Sequence, residues 1–84
     1  MRYWYKLTDA NLWEDHYMNN QDFEIPVYAE TQEIVDDFYS NEYSDWWQIH
    51  GFGGDRIEFK DEDDARAELM ASLGDSLYCR LHDC

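Results

Sequence analysis

The run from Asp45 to Gly51, DWWQIHG, reads as a strand, and it sets two indoles side by side. Successive side chains of a strand leave opposite faces of its sheet. Trp46 and Trp47 therefore diverge: one enters a core covered by helices while the other faces away from it. Either the far side of the sheet is covered too, or a large ring is left for something outside the chain.

The surrounding segments show which elements such a sheet has. The glycines of Gly51 to Asp55 suit a tight hairpin leading into a further strand, Arg56 to Lys60. Arg2 to Leu7 alternates and is rich in rings, with Tyr3, Tyr5 and Leu7 on one face. Phe23 to Ala29 alternates again, with Phe23, Ile25 and Val27 on one side; Pro26 offers no backbone donor, so this strand belongs at an edge or carries a bulge. The polar stretch between these two strands ends in the turn-forming pair Asn19-Asn20. The helical spacing of Ala10, Trp13 and Tyr17 supports a single helical turn there. At the end of the chain Ser76 to His82 alternates as a strand, with Leu77, Cys79 and Leu81 inward.

Two segments switch to the helical period. Thr31 caps the first, in which Ile34, Val35, Phe38 and Tyr39 repeat along one side while Glu33, Asp36, Asp37 and Ser40 occupy the rest. Asp61 caps the second; Ala65, Leu69 and Leu73 form its stripe with Met70 beside it, and Gly74 is a natural residue just past a helix end. Early acids suit the positive end of a helix dipole. The two segments align at a spacing of 31 residues, Tyr28 with Phe59, Ile34 with Ala65, Phe38 with Leu69 and Tyr39 with Met70. The resulting order is β-β-α-β-β-α-β. We expect an α+β fold: a two-layer sandwich with a mainly antiparallel sheet and two helices on one face, residues 1–84 forming one domain.

Charge governs what such a domain can meet. Twenty Asp and Glu stand against six Lys and Arg, a formal net charge of -14. A chain with that imbalance is a candidate for disorder, but four Trp, seven Tyr and four Phe in periodic segments supply a core even at this length. The field repels nucleic acid and anionic membrane and attracts basic proteins. No apolar run approaches the roughly 20 residues of a membrane span, the opening MRYWYKL is too short and polar for a signal peptide, and two cysteines are too few for a disulfide framework. A cytoplasmic location is the expectation.

Catalytic and metal chemistry find little support. His16, His50 and His82 sit in no catalytic pattern, and the glycines of residues 51–54 read as a turn, so no enzyme and no cofactor are expected. The tail Cys79, His82, Cys84 offers zinc-type ligands. A strand would aim Cys79 and His82 to opposite faces. The acids Asp61 to Asp64 lack the spaced ligands and glycine of a calcium loop.

The stretch from His50 to Gly74 resembles the third strand and second helix of the RNA-recognition motif, through Gly51-Phe52-Gly53 and Ile57-Glu58-Phe59. Gly54-Asp55-Arg56 interrupt that pattern, and the field opposes a phosphate backbone.

What remains is the acidic surface. Glu30, Glu33 and Asp37 form a row at helical spacing, as do Asp61, Asp64 and Glu68. Two such helices on one face would present parallel negative rows, a surface comparable to a phosphate backbone. In size, acidity and lack of a catalytic motif, the chain resembles small phage-encoded inhibitors of bacterial defence, including anti-CRISPR and anti-restriction DNA mimics. That resemblance implies a stoichiometric inhibitor occupying a basic nucleic-acid-binding surface of a host protein. The residues expected to carry binding are Glu33, Asp36, Asp37, Asp61, Asp63, Asp64 and Glu68 as phosphate-like charges, with Trp46 or Trp47 as the apolar anchor. Plain solvation of an acidic surface is the competing account. A metal-stabilised or regulatory interaction domain using the Cys79–Cys84 tail is the alternative function, and an aromatic-rich open sheet leaves room for a homodimer.

Overall fold

A computed structural model describes residues 1–19, 23–51 and 57–82. The elements are β1 (Tyr3–Lys6), α1 (Leu7–Met18), β2 (Tyr28–Ala29), α2 (Gln32–Ser40), β3 (Trp46–Gln48) and α3 (Glu62–His82). The fold is α+β. β1 is the central strand of a three-stranded antiparallel sheet in the order β2-β1-β3. Tyr3 lies opposite Ala29 and Trp4 opposite Tyr28 on one side; Trp4, Tyr5 and Lys6 face Gln48, Trp47 and Trp46 on the other.

The helices do not share one face of this sheet. Tyr3 joins a core with Ala10 and Trp13 of α1, Ala65 and Leu69 of α3, and Ile25, Val27, Ile49 and Phe59. Trp4, the next residue, points the other way and is 4% exposed, its ring meeting Phe38 of α2 edge-on at 5.2 Å. Two consecutive large rings on a central strand both need cover, which one layer of helix cannot supply. The expected two-layer arrangement is thus replaced by three layers, with α1 and α3 on one side of the sheet and α2 on the other.

Four expected elements also change. The polar stretch after β1 is a full helix, α1, beginning at Leu7 where the strand reading placed an inward residue. Lys6 gives that helix no side-chain cap. Asp45 supplies it from across the sheet. Its carbonyl accepts from the Leu7 amide at 2.9 Å, and its carboxylate accepts from the Thr8 amide at 3.3 Å and the Thr8 hydroxyl at 3.2 Å. The acid satisfies otherwise orphaned donors and sits at the positive end of the dipole.

The Phe23–Ala29 run keeps its facing but contributes only Tyr28 and Ala29 to the ladder. Ile25 and Val27 are buried and Pro26 is exposed. The missing Pro26 donor gives the sheet nothing to bond at that position, and β2 lies at an edge as expected.

The segment after the glycines does not form a hairpin strand with β3. Phe59 instead exchanges hydrogen bonds with Met1, amide to carbonyl at 2.9 Å and terminal amine to the Phe59 carbonyl at 3.3 Å. It lies along the same edge of β1 that Ile49 uses, through a 2.9 Å bond from the Ile49 amide to the Tyr3 carbonyl, because alternate carbonyls of a strand face the same neighbour. Gly51 and Ile57 do come together: a Cβ on Gly51 would run into the Ile57 side chain. The hairpin tip, 52–55, and Arg56 lie outside the described residues.

Finally, α3 continues through Gly74 to His82, so the expected terminal strand is helix. A glycine inside a helix costs about 1 kcal/mol relative to alanine, and Gly74 faces open space. That penalty alone does not end a helix when the residues beyond it continue the pattern. Cys79 is consequently exposed rather than inward.

Both capped helix starts are as expected. The Thr31 hydroxyl accepts from the Ile34 amide at 3.2 Å, and the Asp61 carboxylate accepts from the Asp64 amide at 2.9 Å.

Candidate partner-binding surface

The two layers of helix separate the acidic residues. On α2, Glu33, Asp36 and Asp37 are exposed, and Asp36 accepts from the Gln32 amide at 2.8 Å. Glu30 does not extend this row, because its carboxylate accepts from the Trp4 indole at 3.0 Å. On α3, Asp61 is occupied as the cap, while Glu62 and Asp63 share the guanidinium of Arg66, the Asp63 contact measuring 3.2 Å. Arg66 is held at a third point by the Ile25 carbonyl, 3.3 Å from its Nε. Asp64 is exposed and Glu68 is half-buried. The expected parallel rows therefore do not form on a common layer, and Asp63 is partly neutralised rather than left bare.

The tryptophan pair divides as strand geometry requires. Trp46 lies on the α2 side, half-buried, with Tyr28 edge-on at 5.1 Å. Lys6 Nζ stands 5.1 Å from the Trp46 ring centroid and 5.8 Å from that of Tyr28, within cation–π range. Trp47 lies on the α3 side opposite Tyr5 and is 49% exposed. Of the two tryptophans expected as alternatives for an apolar anchor, it is the more exposed.

Two hollows meet at Trp47. One, of about 430 Å³, runs between β3 and α3 and is lined by Tyr5, Trp47, His50, Glu68, Leu73 and Asp75 among others. Burial pushes the Tyr5 hydroxyl above its ordinary pKa. The other, of about 590 Å³, is mainly apolar, with Leu7, Phe38 and Tyr43 facing Trp47. Tyr43 is 86% exposed, and Tyr39, expected on the buried stripe of its helix, is 70% exposed.

Neither Tyr5 nor Tyr43 is a residue that the sequence pattern marks for a site. The alternation of Tyr5 with Tyr3 read only as core, and Tyr43 sits in the loop before β3, where periodicity carries no information.

Among the described residues, no three His, Cys, Asp or Glu side chains converge as a metal site. The tail reading is altered at Cys79, now on a helix; Cys84 lies outside the described residues, as does the His82 side chain. No described helix is long and apolar enough to cross a membrane. No protein family, characterised protein or solved structure matches this chain.

Proposed function

We propose that the protein is an acidic, stoichiometric inhibitor that binds another protein. It occupies a basic nucleic-acid-binding surface of a host complex, such as a CRISPR or restriction nuclease. The supporting observation is a formal charge of -14 whose exposed carboxylates include Glu33, Asp36 and Asp37 on α2, Asp63 and Asp64 on α3, and Asp61 at its cap. Helical neighbours stand roughly 5–6 Å apart, so these acids crowd a phosphate-like density onto a rigid support. A groove built for a phosphate backbone attracts such a surface over long range and speeds association. Trp47, exposed beside the field, supplies the apolar contact that electrostatics alone lacks. Asp63 is tied to Arg66, whereas α2 contains no Lys or Arg to offset Glu33, Asp36 and Asp37.

Capture of host proteins at low and raised salt, with DNA or guide RNA as competitor, tests this reading. Basic nucleic-acid-binding proteins are expected in the retained fraction and are expected to be displaced by the competitor. The triple change Glu33→Lys, Asp36→Lys, Asp37→Lys should lower retention at least tenfold while circular dichroism stays unchanged. Retained partners that bind no nucleic acid, or retention indifferent to the triple change, would refute it.

A further inference from the structure

We infer that the groove between β3 and α3 is a receptor for an arginine side chain presented by a basic segment of the protein partner. This rests on the reading above, that the partner is a basic protein. The groove has an aromatic wall and a carboxylate wall. Trp47 and Tyr5 are cross-strand partners on one side, and Glu68 and Asp75, two turns apart on α3, stand on the other. A guanidinium is the group that suits both walls, stacking flat on an indole while donating to carboxylates.

Among the described residues the groove has no Lys or Arg of its own. Among the described residues neither Glu68 nor Asp75 makes an ion pair or a side-chain hydrogen bond, and none of the lining residues is Lys or Arg. Arg66, two positions from Glu68, is committed to Glu62, Asp63 and the Ile25 carbonyl. Lys6 is committed to Trp46 and Tyr28 on the opposite face. That opposite face shows the same chemistry completed internally, a tryptophan and a tyrosine with a cation over both. Among the described residues, the Trp47 side carries the rings and the acids without a Lys or Arg beside them.

Other occupants fit the charges worse. A second copy of the chain brings another -14, and nucleic acid is repelled by the same field.

The test uses the intact protein and a dye-labelled twelve-residue peptide of glycine and serine carrying four spaced arginines. Parallel versions carry citrulline or lysine in place of arginine. Anisotropy should show binding of the arginine peptide, loss of binding with citrulline, and weaker binding with lysine. Trp47→Ala and Glu68→Gln should each weaken the arginine peptide about fivefold, whereas Asp36→Asn on the other face should change it less than twofold. Amide shift mapping on the unmodified protein needs no variant to fold, and the shifts should concentrate in residues 47–51 and 68–76. Shifts spread equally over α2 and α3, or Glu68→Gln no worse than Asp36→Asn, would overturn the arginine groove while leaving the proposed function standing. Groove-centred binding of the peptide, combined with failure to retain any nucleic-acid-binding protein, would support the groove and sink the proposed function instead.

Discussion

Trp46 and Trp47 are neighbours in sequence with opposite fates. Trp46 is half-buried on the α2 side, with Tyr28 edge-on and Lys6 over its ring, so it has an aromatic and a cationic partner within the chain. Trp47, one residue on, is half exposed at the junction of two hollows. The difference shows that exposure here does not follow from residue type or from distance along the chain. It follows from which face of a three-stranded sheet has more cover than it needs. The α2 side covers Trp4 and Trp46 with one short helix, Tyr28 and a lysine. The α3 side has two helices and still leaves a groove.

The sharpest way to break this comparison is to remove one ring from each side. Trp4→Ala, on the covered side, should cost about 3–5 kcal/mol by urea denaturation, as for other buried large-to-small changes. Trp47→Ala should cost less than about 1 kcal/mol. Equal losses would mean that Trp47 is structural and that the two faces do not differ.

Next in size, Asp45→Ala should destabilise by about 1–2 kcal/mol through loss of the α1 cap, read as a lower urea midpoint with unchanged slope. Asp36→Ala should sit near zero, which separates an acid that closes a helix from an acid displayed on one.

Salt should then stabilise the whole molecule. Going from about 0.01 M to about 0.15 M ionic strength shortens the screening length from about 30 Å to about 8 Å. Relief of self-repulsion among twenty acids should raise Tm by a few degrees, what roughly 0.5–1 kcal/mol does in a domain of this size. Neutral or falling Tm would mean that the acids are already balanced in pairs.

The smallest effect concerns the groove wall. Burial raises the Tyr5 pKa in the folded state, so the unfolded chain loses this proton first. Tyr5 therefore leaves stability unchanged well below about pH 10, and stability falls as pH climbs through the unfolded value toward the folded one. Tyr5→Phe should flatten that alkaline loss in a series of melts above pH 9.

Much of this molecule was legible locally. Thr31 and Asp61 are caps because short oxygen-bearing side chains precede apolar periodic runs. Ile25 and Val27 are buried because alternation survives even where the ladder does not reach them. The α+β class follows from mixing the two periods.

What failed was of two kinds. Short runs with polar surroundings were ambiguous: α1 buries little more than Ala10 and Trp13, too sparse a stripe to announce a helix of three turns. Leu77 and Leu81 are two apart from Cys79 but four apart from each other, so the same letters satisfy both periods. The second failure was global. Trp4 beside Tyr3 demands cover on both faces as surely as Trp46 beside Trp47 does, so helices on one face alone cannot close this sheet. Glu33, Asp36, Asp37, Asp63 and Asp64 lie exposed on helices as their spacing implies, whereas Glu30 and Asp61 precede the helices and Glu68 is half-buried. Glu30 finds Trp4 in a distant segment, which no spacing rule anticipates, whereas Asp63 and Arg66 are the i,i+3 neighbours that helical spacing offers.

Asp45 carries one more consequence. It precedes the tryptophan pair directly and is fastened to Leu7 and Thr8 at the point where β1 becomes α1. A strand of three residues has little of its own to stop it sliding by one position, and a slide of one exchanges every side chain between faces. In this protein such a slip would put Trp46 in the groove and Trp47 under Lys6. The Asp45 clamp at one end of the strand, with the Ile49 amide bonded to the Tyr3 carbonyl at the other, therefore holds the register that shows Trp47 rather than Trp46 to the outside.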